Sequence, residues 1–432
     1  MASVLERSSN MELLLSKSFT LPLLAIVSYL TYKYDPSGNS KKSDASNSAT
    51  AADSKSKSQA EASQGHTATL SNSAGSPVFG GQAEGADDFD YTKIKINAVD
   101  PDFDWSATPP FKYRPFKKGE YKLTMGIQNI PMDEWLMMED TYLNFTNIKT
   151  NYMNNPDKVD HICFLSDECV DSAIEFYEAS TNFMLQRYPQ YFKVVEKEDG
   201  IEYIHNLVRD EYIELHPADV SPRENLIKNM TRLIEEDFII LQRDPAKDKD
   251  EYIFKGGCFG FAAGFDPLTV FQTNMTTIHG NVPGYKTNLR SQMNKFFDKV
   301  KPGVFVRRNN WSLQVHNKLL VFDSNKGKED EEIIAADPGS LDYKREVFFR
   351  SERQTLTKLH RSKAMVFGIR TYLTALNDIR EEGLADELIG GITGMQEILG
   401  IYKNRPKWGD AAVEFLSGRT NGTEKPWIEN FE

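Results

Sequence analysis

From about Asp35 to Asp88 the sequence has almost no large apolar side chains; it is Ser, Ala, Gly and Asp with scattered Lys. Such a stretch cannot bury enough apolar area to offset the entropy of an ordered chain, so it reads as a disordered tether. His66 lies inside it and reads as solvated. The tether divides the 432 residues before any other feature does. Residues 1–34 form a tail with a candidate membrane anchor, 35–90 the linker, and 91–432 one large domain ending in a helical tail. Length alone allows one large domain or two of roughly 150 residues. The 40% hydrophobic content understates the folded part, because the linker dilutes it.

Before the linker, Ser18 to Tyr32 is a short, uncharged, apolar run. A bilayer core needs roughly 20 residues of helix, with about 17 as the lower limit. Extending the run to Leu13 includes Lys17, which can snorkel. A signal-anchor helix, a cleaved signal peptide and an amphipathic presequence all compete for this segment. No small-residue cleavage site stands out, which disfavours the second. Lys33, Lys41, Lys42, Lys55 and Lys57 follow the run, against Arg7 and Lys17 before it. That bias places the main domain in the cytosol, tethered to the endoplasmic reticulum or another endomembrane.

A net charge of −12 with no dense Lys/Arg stripe argues against nucleic acid as a partner. The three cysteines, Cys163, Cys169 and Cys258, contain no C-x-x-C pair. A disulfide framework is therefore not expected, which suits a reducing compartment. A ferredoxin-type cluster or a four-cysteine zinc site would need a fourth thiolate.

Within the folded part, Asp133 to Leu136 opens a helical stretch continued by Tyr142 and Phe145. The stripe Val170, Ile174, Tyr177 and Met184 predicts a helix over Asp167–Arg187, stopped by Pro189. Ser221-Pro222-Arg223-Glu224 reads as a capped helix start, with the helix running to about Glu236. Strand-like runs follow at Phe238–Gln242, Tyr252–Phe254, Val304–Arg308, Ser312–His316, Val347–Arg350 and Met365–Tyr372. A helix bearing Leu289, Met293, Phe296 and Val300 interrupts them, and Thr374–Gly418 is helical again. Strands in clusters, without regular βα alternation, predict an α+β fold with an antiparallel sheet.

No Walker loop, H-E-x-x-H or G-x-S-x-G occurs. Lys255 to Phe265 alternates small residues with Phe; its glycines, Gly257 among them, either admit a flat ligand or bend a strand. His279 sits in a turn-rich loop with Gly280, Pro283 and Gly284, which suits either a metal or haem ligand or a plain hydrogen-bonded imidazole. Arg308, Asn310 and Trp311 form a polar–aromatic cluster, while Arg353-Gln354 and Arg370 lie in or beside apolar strands. A buried arginine needs an anionic partner, from a cofactor carboxylate or a structural Asp or Glu. Glu236-Asp237 reads as an acid/base pair or as a solvated helix end.

A short tail, one anchor, a Ser-rich stem and a large domain are also the outline of a type II membrane glycosyltransferase of the mannosyltransferase kind. Sequons at Asn144, Asn229, Asn274, Asn310 and Asn421 suit a lumenal domain, and Asp100-x-Asp102-x-Asp104 matches a metal–nucleotide-sugar motif. Those aspartates follow no apolar strand, however, and Asn274 and Asn310 lie where a glycan is hard to place.

Several segments, in order, resemble the haem-dependent oxidative N-demethylase family. They are Met125-Gly126-Ile127, Met132-Asp133-Glu134-Trp135-Leu136, Asp140-x-Tyr142, Tyr188-Pro189 and Glu236-Asp237. Then come Gly257–Phe265, Ile278-His279 with Val282-Pro283-Gly284, and Phe296-Phe297. The last are Arg308-x-Asn310-Trp311-Ser312-Leu313, Glu352-Arg353-Gln354-Thr355-Leu356, and Arg361-Ser362 leading into Ile369-Arg370-Thr371-Tyr372.

The resemblance implies a PAS-like antiparallel sheet ringed by helices and holding haem b. It also implies oxidative demethylation of a small methylated amine, with O2 and NADPH-derived electrons. By residue-for-residue match His279 would be the iron ligand. Arg308 and Arg370 would bind the cofactor with Gly257 and Trp311, and Arg353, Gln354 and Glu236 would be the catalytic residues. Ala262 and Phe265 replace a usual Pro and Trp, and Asn281 a usual Pro, which reshapes the pocket wall. With no flavin or dinucleotide fingerprint here, a flavin or iron–sulfur reductase partner would supply the electrons. A ligand-binding sensor of the same fold is the other expectation.

Overall fold

The computed structural model describes residues 89–426 except 122, 329 and 330. The candidate anchor and nearly all of the linker lie outside the described residues. Among those described, no helix is long and apolar enough to cross a membrane.

Among the described residues the strands and α-helices begin with β1 (Gln128–Ile130), helices α1 (Tyr142–Met153) and α2 (Pro156–Ile162), strand β2 (Cys163–Leu165) and helix α3 (Val170–Arg187). A small meander follows: β3 (Phe192–Glu196), β4 (Glu202–Asn206) and β5 (Glu211–Glu214). Then come α4 (Asn225–Leu233), β6 (Asp237–Asp244), β7 (Asp248–Cys258), α5 (Met275–Ile278) and α6 (Arg290–Lys299). Three long strands, β8 (Phe305–Gln314), β9 (Phe348–Lys358) and β10 (Met365–Ala375), precede the tail helices α7 (Leu376–Glu381), α8 (Ala385–Thr393), α9 (Glu397–Tyr402) and α10 (Arg405–Leu416). The main sheet has seven strands in the order β1-β8-β9-β10-β6-β7-β2. Every strand pairing in it is antiparallel. The α+β expectation therefore stands at the level of an antiparallel sheet with surrounding helices.

Both faces of this sheet are covered, and the sequence of β6 shows why it reads as a continuous apolar run. Phe238 and Ile240 join the core built with α1, α3 and α4. Ile239 and Leu241, pointing the other way, join a core with α5, α6 and Leu356 of β9. A third cluster seats Trp311, Leu313 and Phe349 against the tail helices. The α3 helix also fixes the β9–β10 hairpin: the Glu175 carboxylate accepts the backbone N–H groups of Arg361 and Ser362, each at 2.8 Å.

Two local expectations change. Val304–Arg308 and Ser312–His316 are one strand, because Asn309 and Asn310 keep register with Arg353 and Glu352. The helix expected from Ser221 begins at Asn225, after a turn in which Pro222 and Arg223 carbonyls accept from Asn225 and Leu226. It ends at Leu233 because Ile234 is already extended. The β3–β5 meander carries too few apolar residues to announce itself.

Candidate functional site

Side chains alternate between the two faces of a strand, so register decides what meets what. On β8 and β9, Arg308 pairs with Gln354, Asn310 with Glu352 and Ser312 with Arg350. Gln354 and Leu356 pair in turn with Ile369 and Phe367 of β10, and Phe367 with Ile239 of β6. All these side chains line one cavity of about 360 Å³, within the range of roughly 300–1,000 Å³ usual for small-molecule sites. Its far wall is Met125 and Ile127 of the incoming chain, His279 after α5, Met293 and Phe297 of α6, and Leu399, Tyr402 and Lys403 at the end of α9.

The cavity is amphipathic. One end is lined by Ile239, Leu241, Phe254, Leu356, Phe367 and Ile369. The other gathers Arg308, Lys326, Arg350 and Lys403 around a single carboxylate among the described lining residues, Glu352. Glu352 lies 3.8 Å from the Arg350 guanidinium and accepts from the Gln354 amide at 2.8 Å. Arg308 donates to the Met125 carbonyl at 3.1 Å and to the Gln354 side chain. Burial holds its guanidinium below the usual arginine range.

His279 is held by two contacts. Its ring stacks on Tyr285, with centroids 4.7 Å apart and planes 12° from parallel. Its Nδ1 lies 2.9 Å from the Met275 carbonyl oxygen. A carbonyl only accepts, so Nδ1 carries the proton and Nε2 keeps its lone pair. Burial pushes the imidazole down to about 4, so it is neutral at physiological pH. A neutral imidazole with one nitrogen tied to a carbonyl is the usual arrangement of a metal-ligating histidine.

Of the eight residues given cofactor-binding or catalytic roles from sequence, His279, Arg308 and Gln354 meet in this cavity. The other five lie off it. Arg353 neighbours Gln354 in the strand and points the opposite way, bonding Tyr113 Oη at 3.0 Å and the carbonyls of Trp135 and Glu134. Trp311 packs on Phe116 and Phe349. Gly257 is a tight strand crossing, where an added Cβ would stand 2.1 Å from the Phe238 carbonyl oxygen. Arg370 and Glu236 belong to a buried charge cluster on the helix-covered face. There the Arg370 guanidinium meets Glu139 at 2.7 Å, Glu235 at 2.7 Å and Glu236 at 3.4 Å. The structural-carboxylate alternative for Arg370 is the one the structure places. Sequence reading missed Glu352, Lys326, Arg350 and Lys403 as lining residues.

The Arg370 cluster makes stability depend on pH. Burial raises Glu235 to about 7, against the opposing pull of Arg370, and raises Asp237 to about 6. Each folded carboxyl holds its proton above the pH at which the unfolded chain releases it. The Glu235 contribution is therefore complete below about pH 4.5 and is lost as pH rises to about 7. We expect urea stability to fall by on the order of 1–3 kcal/mol across this window. Glu235→Gln should flatten this window, most clearly toward pH 7, since Asp237 is only half-titrated at about pH 6 and has lost most of its proton a unit higher. Parallel slopes for variant and wild type in urea melts at pH 6 and 7.5 would count against this account.

Two other features carry no such convergence. A more open hollow of about 500 Å³ is lined by Lys112, Arg114 and Glu382, but both cations already pair with that carboxylate. The Asp100 and Asp104 carboxylates accept from Asp102 and Ser106 in local turns. Asn229 is buried and bonds Glu214, and Asn310 lines the cavity, so neither is placed to carry a glycan.

Fold and site together define an α+β domain in which an antiparallel sheet backs an amphipathic cavity lined by one neutral imidazole and an excess of cations. Residues 126–413 match the haem-dependent oxidative N-demethylase, alpha subunit-like family. The chain belongs to that family.

Proposed function

We propose that this chain is the haem-carrying component of an oxidative N-demethylase. A methylated amine would lose a methyl group as formaldehyde, using O2 and electrons that originate in NADPH. The observation that carries this reading is His279: a neutral imidazole, Nδ1 bound to Met275 O, with Nε2 available at the wall of an amphipathic cavity.

The residues present fit haem b. Its flat apolar body matches the Ile239, Leu241, Phe254, Leu356, Phe367 and Ile369 end, and its two carboxylates match the cationic end. His279 would hold the iron through its free nitrogen, and Arg308 with Lys326 would hold the carboxylates. Haem, when bound, supplies the place where O2 binds and is reduced. The apolar lining keeps that place dry, and Tyr285 and Met275 hold the imidazole in one orientation. Phe265 and Asn281, which depart from the family pattern, both line the cavity, which supports a substrate differing from simple alkylamines. Electrons would arrive from a flavin or iron–sulfur reductase, since three cysteines cannot ligate a four-thiolate cluster.

Reconstitution with hemin is expected to give a Soret band. His279→Ala should weaken hemin uptake by about 100-fold, or shift the band to that of an unligated haem. An unchanged spectrum and affinity in that variant would sink the ligand assignment. Formaldehyde release with a reductase and a panel of methylated amines separates catalysis from sensing. Haem uptake without turnover across that panel would leave a PAS-like ligand-binding sensor.

A further inference from the structure

Lys403 leaves the end of α9 and enters the polar end of the cavity. The residue is 7% exposed. Its Nζ donates to Asn310 Oδ1 at 3.0 Å and to the Trp311 carbonyl at 2.6 Å, which accounts for two of three N–H groups. Burial pushes the ammonium down to about 8 against the attraction of Glu352, and Arg308 and Lys326 add repulsion. The same two cations bear on His279, so all of these groups share one region.

Charge in this region is unbalanced. Glu352 is engaged by Arg350, Gln354 and Asn310. Arg308 is bonded only to uncharged acceptors, Met125 O and Gln354. Lys326 lies over the rings of Phe265 and Tyr402 at 4.3 and 5.2 Å. Arg308, Lys326 and Lys403 thus converge without an ion-paired carboxylate among the described residues. Buried cations are costly unless an anion joins them. The two carboxylates of one haem would answer two of these charges and leave a third.

We infer that the cavity holds a second anion site beside the cofactor, centred on Lys403, and that the substrate is a methylated amine which also carries a carboxylate, an N-methylated amino acid by chemical class. This rests on the haem reading. It deepens it by stating what the remaining cation is for: a carboxylate gripped by Lys403 would fix the amine end relative to His279. A charge-assisted hydrogen bond in a buried site discriminates strongly against a ligand lacking the anion.

The test is isothermal titration of hemin-loaded protein with N,N-dimethylglycine and with dimethylamine. Dimethylglycine is expected to bind at least about tenfold more tightly. That preference should collapse to about one in Lys403→Met and survive in Lys403→Arg, with the thermal midpoint of each variant read as the folding control. If Lys403→Met does not fold, Lys403→Gln carries the same comparison. A wild-type preference near one, or a preference retained in the neutral variants, overturns the inference. Failure to take up hemin is a separate result that strikes the haem reading alone. The haem-free protein should then still prefer dimethylglycine over dimethylamine, and lack of that preference overturns the anion site as well.

Discussion

Replacing Arg370 by Met is expected to cost about 3–5 kcal/mol of folding stability at pH 8 and clearly less at pH 5. The guanidinium is 1% exposed and stands between three carboxylates that are equally buried. It donates to Glu139 at 2.8 Å, to Glu235 at 2.7 Å and to the Met137 carbonyl at 3.0 Å. Lys149, also buried, serves the other side by bonding the Ile234, Glu235 and Glu236 carbonyls and lying 3.9 Å from Asp237. Two cations therefore face four carboxylates. Removing one cation leaves charges that can neither reach water nor find a partner, and protonation is their only relief. That is why acid should rescue the variant. Urea unfolding at the two pH values measures the difference. Loss of stability that is equal at both would show that lost packing, not stranded charge, is responsible. The same variant separates the two readings of Arg370. A cofactor-binding arginine would take hemin affinity with it. An arginine on the far face should leave hemin affinity unchanged in the folded protein at pH 5.

The alternation that separates Arg370 from the cavity also explains what could be read in advance. Long apolar runs at Phe238–Gln242 and Met365–Tyr372 announced strands, because both faces of the sheet are covered and every position but the half-buried Gln242 and Phe367 is buried. Residues that carry chemistry were harder, since type and motif say nothing about which face a side chain takes. Arg353 and Gln354 are adjacent in a strand and cannot line one cavity. Glu352, two residues from Gln354, must share its face. Period-two counting from Gln354 would have selected Arg350 and Glu352 and rejected Arg353. From Arg308 it would have kept Asn310 and rejected Trp311. Lys326 and Lys403 had no such signal. They reach the cavity from a loop and from the end of α9, and only the tertiary packing of the tail helices brings them there. His279 was legible because two tight turns flank it, yet its tautomer became readable only from the Met275 contact.

Gly257→Ala is expected to cost at least about 3 kcal/mol, more than a methyl group would in an ordinary strand. Gly257 has φ of +132°, which side-chain-bearing residues rarely adopt. It is flanked on both sides by paired strands, opposite Ile239 of β6 and Phe164 of the edge strand β2. An alanine Cβ would approach the Phe238 carbonyl oxygen to 2.1 Å and the Ile239 Cα to 3.0 Å. Both contacts are to backbone, so no side-chain rotation relieves them, and β6 itself must move. That strand holds Asp237 against Lys149 on one face and lines the cavity with Ile239 and Leu241 on the other. The damage should therefore reach hemin uptake as well as stability. Gly383 supplies the control. Its φ is +76°, and an added Cβ meets nothing within 4 Å, so Gly383→Ala should lose only the conformational term of about 1–2 kcal/mol. Urea midpoints of the two variants isolate the clash. Equal losses would mean that β6 yields freely at this crossing, and that the glycine at 257 answers to backbone conformation alone.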